Sequence, residues 1–263
     1  MRKPLATTGL IFISLLASHA QAATLKLAAS ADYWNPKPRG YIQGNPDQQR
    51  LDLNDELGLS SEGASSLSLQ LDHFLPLLPN LRITQTRLDF SASTRSDFTF
   101  LDTRFTGTTN SDIDLSHTDL TAYYRFLDGV TASLPLVSLR LEAGMTLRRF
   151  DGGFTITGEV DGQQQSESSG LDTWVPMGYA GGRISLPLGF TAGAAVNYLS
   201  YSGNRLKDLS IFAGYEYRGL PLVTPSIMAG YRAFDLKLDD LDATYGDLTL
   251  KGPQVGAYVH LGF

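Results

Sequence analysis

There is no cysteine anywhere in the 263 residues. That excludes disulfides, thiolate nucleophiles and thiolate metal sites, and it fits an exported protein held together by other means. Charge is scarce too: 18% of residues are Asp, Glu, Lys or Arg, against roughly 25% in ordinary soluble domains. The basic residues are the minority, 21 against 27 acidic, and they form no run along the chain. Nucleic acid, whose phosphates need grouped Lys and Arg, is therefore not an expected partner. Long apolar runs are missing as well. A transmembrane helix needs about 20 consecutive apolar residues. Without one, a chain can cross lipid only as a closed barrel, because every backbone group must find a partner.

The first 22 residues read as a secretory signal peptide. Arg2 and Lys3 form a positive start, Leu10 to Ala17 is an apolar core interrupted by Ser14, and Ala20-Gln21-Ala22 is a cleavage site. Removing it leaves 21 − 2 = 19 basic against 27 acidic side chains, a net charge of −8. Residues 23–263 then form one domain.

The other end of the chain alternates. Val255, Ala257, Val259, Leu261 and Phe263 are apolar, and Gln254, Gly256, Tyr258, His260 and Gly262 between them are not uniformly so. A period of two gives a strand one apolar face. A strand ending in an aromatic resembles the C-terminal sorting signal of bacterial outer-membrane β-barrels.

Leu-Pro-Leu occurs four times, at 75–77, 134–136, 186–188 and 220–222. Proline cannot donate to a sheet ladder and belongs at strand ends and turns. Each copy lies between two alternating segments. The spacing predicts ten strands near 24–34, 65–74, 81–93, 114–126, 138–150, 173–186, 190–201, 206–218, 224–238 and 250–263. The fold expected is an all-β, closed, antiparallel, up-and-down transmembrane barrel, with both termini and the Leu-Pro-Leu turns on the periplasmic side. Residues 35–64 have no evident place, so eight strands is the alternative.

Parity assigns faces. Leu139, Leu141, Ala143, Met145 and Leu147 face lipid, while Arg140, Glu142, Gly144, Thr146 and Arg148 face the lumen. The inward charges expected are Lys26, Asp32, Asp72, Asp119, Arg125, Arg140, Glu142, Glu216 and Arg232. Mixed signs in a narrow lumen are expected to pair. Aromatics near strand ends fit two interfacial girdles: Phe74, Phe126, Phe190, Tyr217 and Phe263 at one rim, Trp34, Phe150, Trp174 and Tyr201 at the other. Apolar parity slips between Ile83 and Leu88, and again between Tyr179 and Ile184. Gly181-Gly182 in the second gap predicts a β-bulge.

The Leu-Pro-Leu turns, Asn54-Asp55-Glu56-Leu57-Gly58-Leu59, Gly181-Gly182 and the closing Tyr258 to Phe263 resemble the small outer-membrane barrel family of Gram-negative bacteria named for a Gly-Gly pair. The resemblance covers the mature chain. It implies a location and a fold, and no chemistry, since that family has no established activity.

Three sets of residues were candidates for chemistry. Ser116, His117 and Asp119 are of types that serve acyl transfer, but neighbours on a strand point to opposite faces. Asp235, Asp239, Asp240, Asp242 and Asp247 lie around one connection and could hold a cation, but without the spacing of a calcium loop. Residues 151–172 read as a hairpin projecting beyond the membrane. No catalytic, cofactor or metal residue is assigned from this, and no enzyme is expected. The function expected is an outer-membrane barrel of structural or surface-interacting role. A narrow channel for polar solutes, or a rim hydrolase or acyltransferase, are the alternatives. Its partners would be outer-membrane lipid and lipopolysaccharide, and the barrel-assembly machinery through the strand ending at Phe263. The protein would be a monomer.

Overall fold

In the computed structural model, residues 25–262 are described, apart from 74, 76, 132–133 and 242–243, with only the backbone given for strand residues 127–136 and 240–244. The expected signal peptide, Phe74, Asp242 and Phe263 lie outside the described residues.

Ten strands close a barrel: β1 (Lys26–Trp34), β4 (Ala64–Asp72), β5 (Asn80–Arg87), β9 (His117–Thr131), β10 (Leu134–Phe150), β13 (Trp174–Ser185), β14 (Phe190–Tyr201), β15 (Asn204–Glu216), β16 (Val223–Leu241) and β17 (Thr244–Gly262). Each pairs antiparallel with the next in the chain, and β1 pairs β17 to complete the ring. The Leu-Pro-Leu copies at 186–188 and 220–222 fall in connections on the end that carries the termini, Leu75 and Leu77 flank another, and the copy at 134–136 opens β10.

Outward and inward faces follow parity. Leu67, Leu69, Met145 and Ile227 are each more than 60% exposed, an aliphatic surface that water would not support alone. Arg148 and Tyr123, on the other face, are fully buried. The outer girdle needs correction: Trp174 and Tyr201 are exposed, but Trp34 and Phe150 are buried inside.

The seven remaining strands build a dome over the far end. Two of them, β2 (Lys37–Gln43) and β3 (Leu51–Asp52), come from the segment that sequence could not place. β2 continues β1 along β17 in the same register, with Trp34 opposite Gln254 and Lys37 opposite Lys251. Only Asn35-Pro36 and Gly252-Pro253 interrupt the ladder, since proline brings no donor. There the backbones come so close that a Cβ on Gly252 would lie 1.9 Å from the Asn35 carbonyl oxygen.

A second sheet holds β6 (Asp89–Arg95), β7 (Phe98–Phe100), β8 (Thr103–Asp114), β11 (Gly152–Val160) and β12 (Gln163–Leu171). Its order β12-β11-β8-β6 repeats that of the barrel strands beneath, β13-β10-β9-β5. Four adjacent strands thus run on past the barrel after a crease at Leu88, Ser116, Asp151 and Thr173. The crease is stitched by hydrogen bonds: Leu115 N–H to Leu88 O at 2.8 Å, Phe150 N–H to Thr173 O at 3.0 Å and Asp151 N–H to Ser116 O at 3.2 Å. It accounts for the parity slip at Leu88. The predicted third strand, 81–93, is really β5 and β6 in different sheets.

The Gly181-Gly182 bulge is absent. Glu142 pairs Gly181 and Leu141 pairs Gly182 in an unbroken ladder, regular also toward β14. Met177 and Tyr179 are simply inward residues that happen to be apolar or aromatic. Register shifts lie instead on β10 against β9, between Leu134 and Ser138 and between Leu139 and Leu141, and on β16 against β17 between Leu238 and Leu241.

Candidate functional site

The lumen is built in tiers. Nearest the dome, Arg148 donates from Nε and Nη2 to both Asp119 oxygens at 2.7 Å, and from Nη2 to Asp208 at 2.8 Å. Arg232 grips Asp208 from its other side at 2.8 and 2.6 Å, with its guanidinium over the Trp34 ring. Two cations and two anions balance around the wholly buried Arg148, where an unpaired charge would be costly.

One tier down, Arg82 donates to Gln70 at 3.1 Å, Tyr179 at 3.0 Å and Glu142 at 3.1 Å. Its guanidinium lies over the rings of Tyr123 and Tyr179. Tyr179 also donates to Glu142 at 2.7 Å, and Tyr123 to Asp72. Asp72 further accepts from Arg125 at 3.3 Å. At the mouth, Glu216 accepts from Arg183 at 3.4 Å and Arg218 at 2.8 Å. A cavity of about 230 Å³ lies between the tiers, against the bare wall of Gly181 and Ala195. It continues toward the termini, where an opening of about 460 Å³ is lined by Arg140, Arg183, Glu216 and His260.

Toward the dome the lumen is stopped by an apolar cluster. Leu51, Leu53, Leu57 and Leu59 enter it from the β2–β4 connection, Phe90, Phe105, Phe154 and Ile156 from the second sheet, and Phe150, Phe234 and Leu250 from long barrel strands. The turn that delivers the leucines is self-capped. Asp52 accepts from the N–H groups of Asn54 and Asp55 at 2.8 and 3.0 Å, Glu56 returns an acceptor to the Asp52 N–H at 2.8 Å, and Asn54 donates its amide to Leu59 O at 2.8 Å. This satisfies backbone groups that would otherwise be buried bare. Gly58 turns the chain at φ +71°.

Ser116, His117 and Asp119 do not assemble. Ser116 Oγ accepts the Leu88 N–H at 3.1 Å as part of the crease, and Asp119 belongs to Arg148. His117 Nδ1 lies 2.8 Å from Leu115 O, so that nitrogen carries the proton, and the ring packs near Phe150 and Phe234. Of the acids around the last connection, two are engaged separately. Asp235 is held by Thr249 and Lys251, and Asp239 lies by Asn204 through its backbone. Among the described residues no group of three His, Asp or Glu could hold a metal.

Parity found most of the inward charges and missed three, Arg82, Arg183 and Asp208. Arg82 stands between exposed Leu81 and Ile83, a signal that was available. Arg183 precedes the exposed Ile184, a signal of the same kind.

The sequence matches no family model and no curated protein. Several solved structures are similar in form. Neisserial surface protein A is 14% identical over 90% of this chain and 97% of its own, with a TM-score of 0.31. A Pseudomonas aeruginosa FadL homologue is 11% identical over 92% and 90%, with a TM-score of 0.26. The Pseudomonas putida toluene transporter TodX is 9% identical over 95% and 91%, with a TM-score of 0.24.

Proposed function

We propose that the chain is an integral outer-membrane barrel whose lumen is a structural core and whose working part is the surface dome. The observation that carries this reading is the apolar cluster across the far mouth, seated on the buried Arg148–Asp119–Asp208–Arg232 layer. A conducting lumen would need a continuous polar path, and here the path ends under leucine and phenylalanine. The exposed aliphatic belt supports residence in lipid. It runs outward-facing from Leu209 on β15 to Tyr217 just past the strand's end, roughly 26 Å along the chain and about 20 Å along a barrel axis tilted by ~40°. The hydrolase reading loses its residues, because Ser116, His117 and Asp119 are each engaged elsewhere.

The purified barrel, reconstituted in planar bilayers, is expected to stay silent under voltage. Insertion would be checked independently by resistance of the strands to protease. Discrete openings from a folded, inserted barrel would reject the closed lumen and restore the channel reading.

A further inference from the structure

The basic residues that form no run in sequence are gathered by the fold. On the far-end extensions of β15, β16, β17 and β2, the outward positions hold Lys37, Arg39, Arg205, Lys207, Lys237 and Lys251. Asp235, Asp239 and Asp247 are the acids among them, and Asp52 and Asp55 lie beside Lys37 and Arg39. On the outward rows of these four strands, six cations stand against three anions, in a chain whose formal charge is −6. Asp235 is occupied by Lys251 at 3.6 Å and by the Thr249 hydroxyl at 3.0 Å. Lys207 and Lys237 lie opposite Asp235 and Asp247 in the ladder, but Lys37, Arg39, Arg205, Lys207 and Lys237 form no ion pair within 4 Å among the described residues.

Two features point to what covers the patch. Lys37 and Lys251 are directly opposite in the ladder, a like-charge pairing that costs a sheet and that Asp235 offsets on the Lys251 side alone. The patch also borders the lipid-facing belt: Lys207 follows Leu209 and Ile211 on the same outward row, and Lys251 follows Val255 at a distance of four residues. That spacing is about 13 Å of strand, which places the cations at headgroup depth. Across the barrel Arg149 is instead neutralised by Asp172 at 3.5 Å.

We propose that this strip binds the phosphate groups of lipopolysaccharide in the leaflet around the dome. The inference rests on the outer-membrane reading above. Anionic surfaces hold clustered Lys and Arg strongly, and a bisphosphorylated glycolipid presents its charges where the acyl chains meet the belt.

The test is binding of purified lipid A to the full-length folded barrel in detergent, measured with the bisphosphorylated lipid and with the same lipid after both phosphates are removed. The wild type is expected to prefer the phosphorylated form. The triple variant Arg39→Gln, Lys207→Gln, Lys237→Gln is expected to bind it at least about tenfold more weakly. Arg87→Gln with Arg149→Gln, on the opposite rim, is expected to leave it unchanged. Should the triple variant fail to fold, Lys207→Arg with Lys237→Arg must retain the preference, and the two lipids still decide the matter on the wild type. Equal binding of both lipids, or equal loss from the opposite rim, overturns the proposal. A barrel that never inserts into vesicles would instead overturn the membrane reading itself.

Discussion

Arg148 shows what a single residue can carry. Its side chain is wholly buried, and it neutralises Asp119 and Asp208 at once. Replacing it by methionine would leave carboxylates from two strands facing one another, with only Arg232 between them and charge balance. The expected cost is about 3–5 kcal/mol, read as a lower urea midpoint for unfolding from vesicles. The double variant Arg148→Met, Asp119→Leu should recover part of the loss, since a buried pair replaced by apolar groups can be nearly neutral. At this scale the sequence was readable wherever polarity and parity agreed. Arg140, Glu142, Asp119 and Arg232 were placed inward because lipid rejects them. Trp34, Phe150 and Tyr179 were misread for the complementary reason. An aromatic ring suits a lipid face equally well, and nothing local says that it is needed beside a guanidinium or beneath a dome.

At the scale of elements, the ten barrel strands were legible because one face is aliphatic and the turns repeat. The dome was not. β12 reads Gln163 to Leu171 with scarcely an apolar residue, and it is a strand because β11 offers it a ladder. The leucines at 51, 53, 57 and 59 match no strand, and their burial comes from the capped turn. That turn gives a prediction: Leu57→Ala should cost about 2–5 kcal/mol. Asp52→Ala should cost about 1 kcal/mol through the lost cap. Both should expose residues 44–63 to limited proteolysis while the barrel strands stay protected. Wild-type resistance in either variant would mean that the turn is not what holds the leucines. Gly252→Val tests the junction of β1 and β2. The added side chain meets the Asn35 carbonyl, so β2 is expected to detach from β17, seen as faster amide exchange at Arg39 and Tyr41.

Taken whole, the molecule has a polar chamber open toward the termini, an ionic floor, an apolar ceiling and a basic strip on one flank of the dome. A membrane fixes the height at which each is found. Leu69→Arg, in the middle of the belt, is expected to destabilise the inserted barrel by roughly 2–4 kcal/mol. Ser200→Arg, at the level of the basic strip, should cost less, about 0.2–1 kcal/mol from the like-charge pairing with Arg205. Equal costs at the two heights would place the hydrocarbon elsewhere. The strip itself was hidden from the sequence because its cations are up to 214 positions apart (251 − 37). Only the ladder of four strands makes them neighbours.

The pairing of β1 and β2 with β17 also sets an order of events. Trp34 reaches Gly252 across 218 positions, so the ring cannot be sealed until the final strand has arrived. Up to that moment both lateral borders expose unpaired backbone groups, which hydrocarbon does not tolerate. Loop closure over so long a separation is slow. The open borders can therefore meet hydrocarbon only once the two ends of the chain have zipped together in one late step.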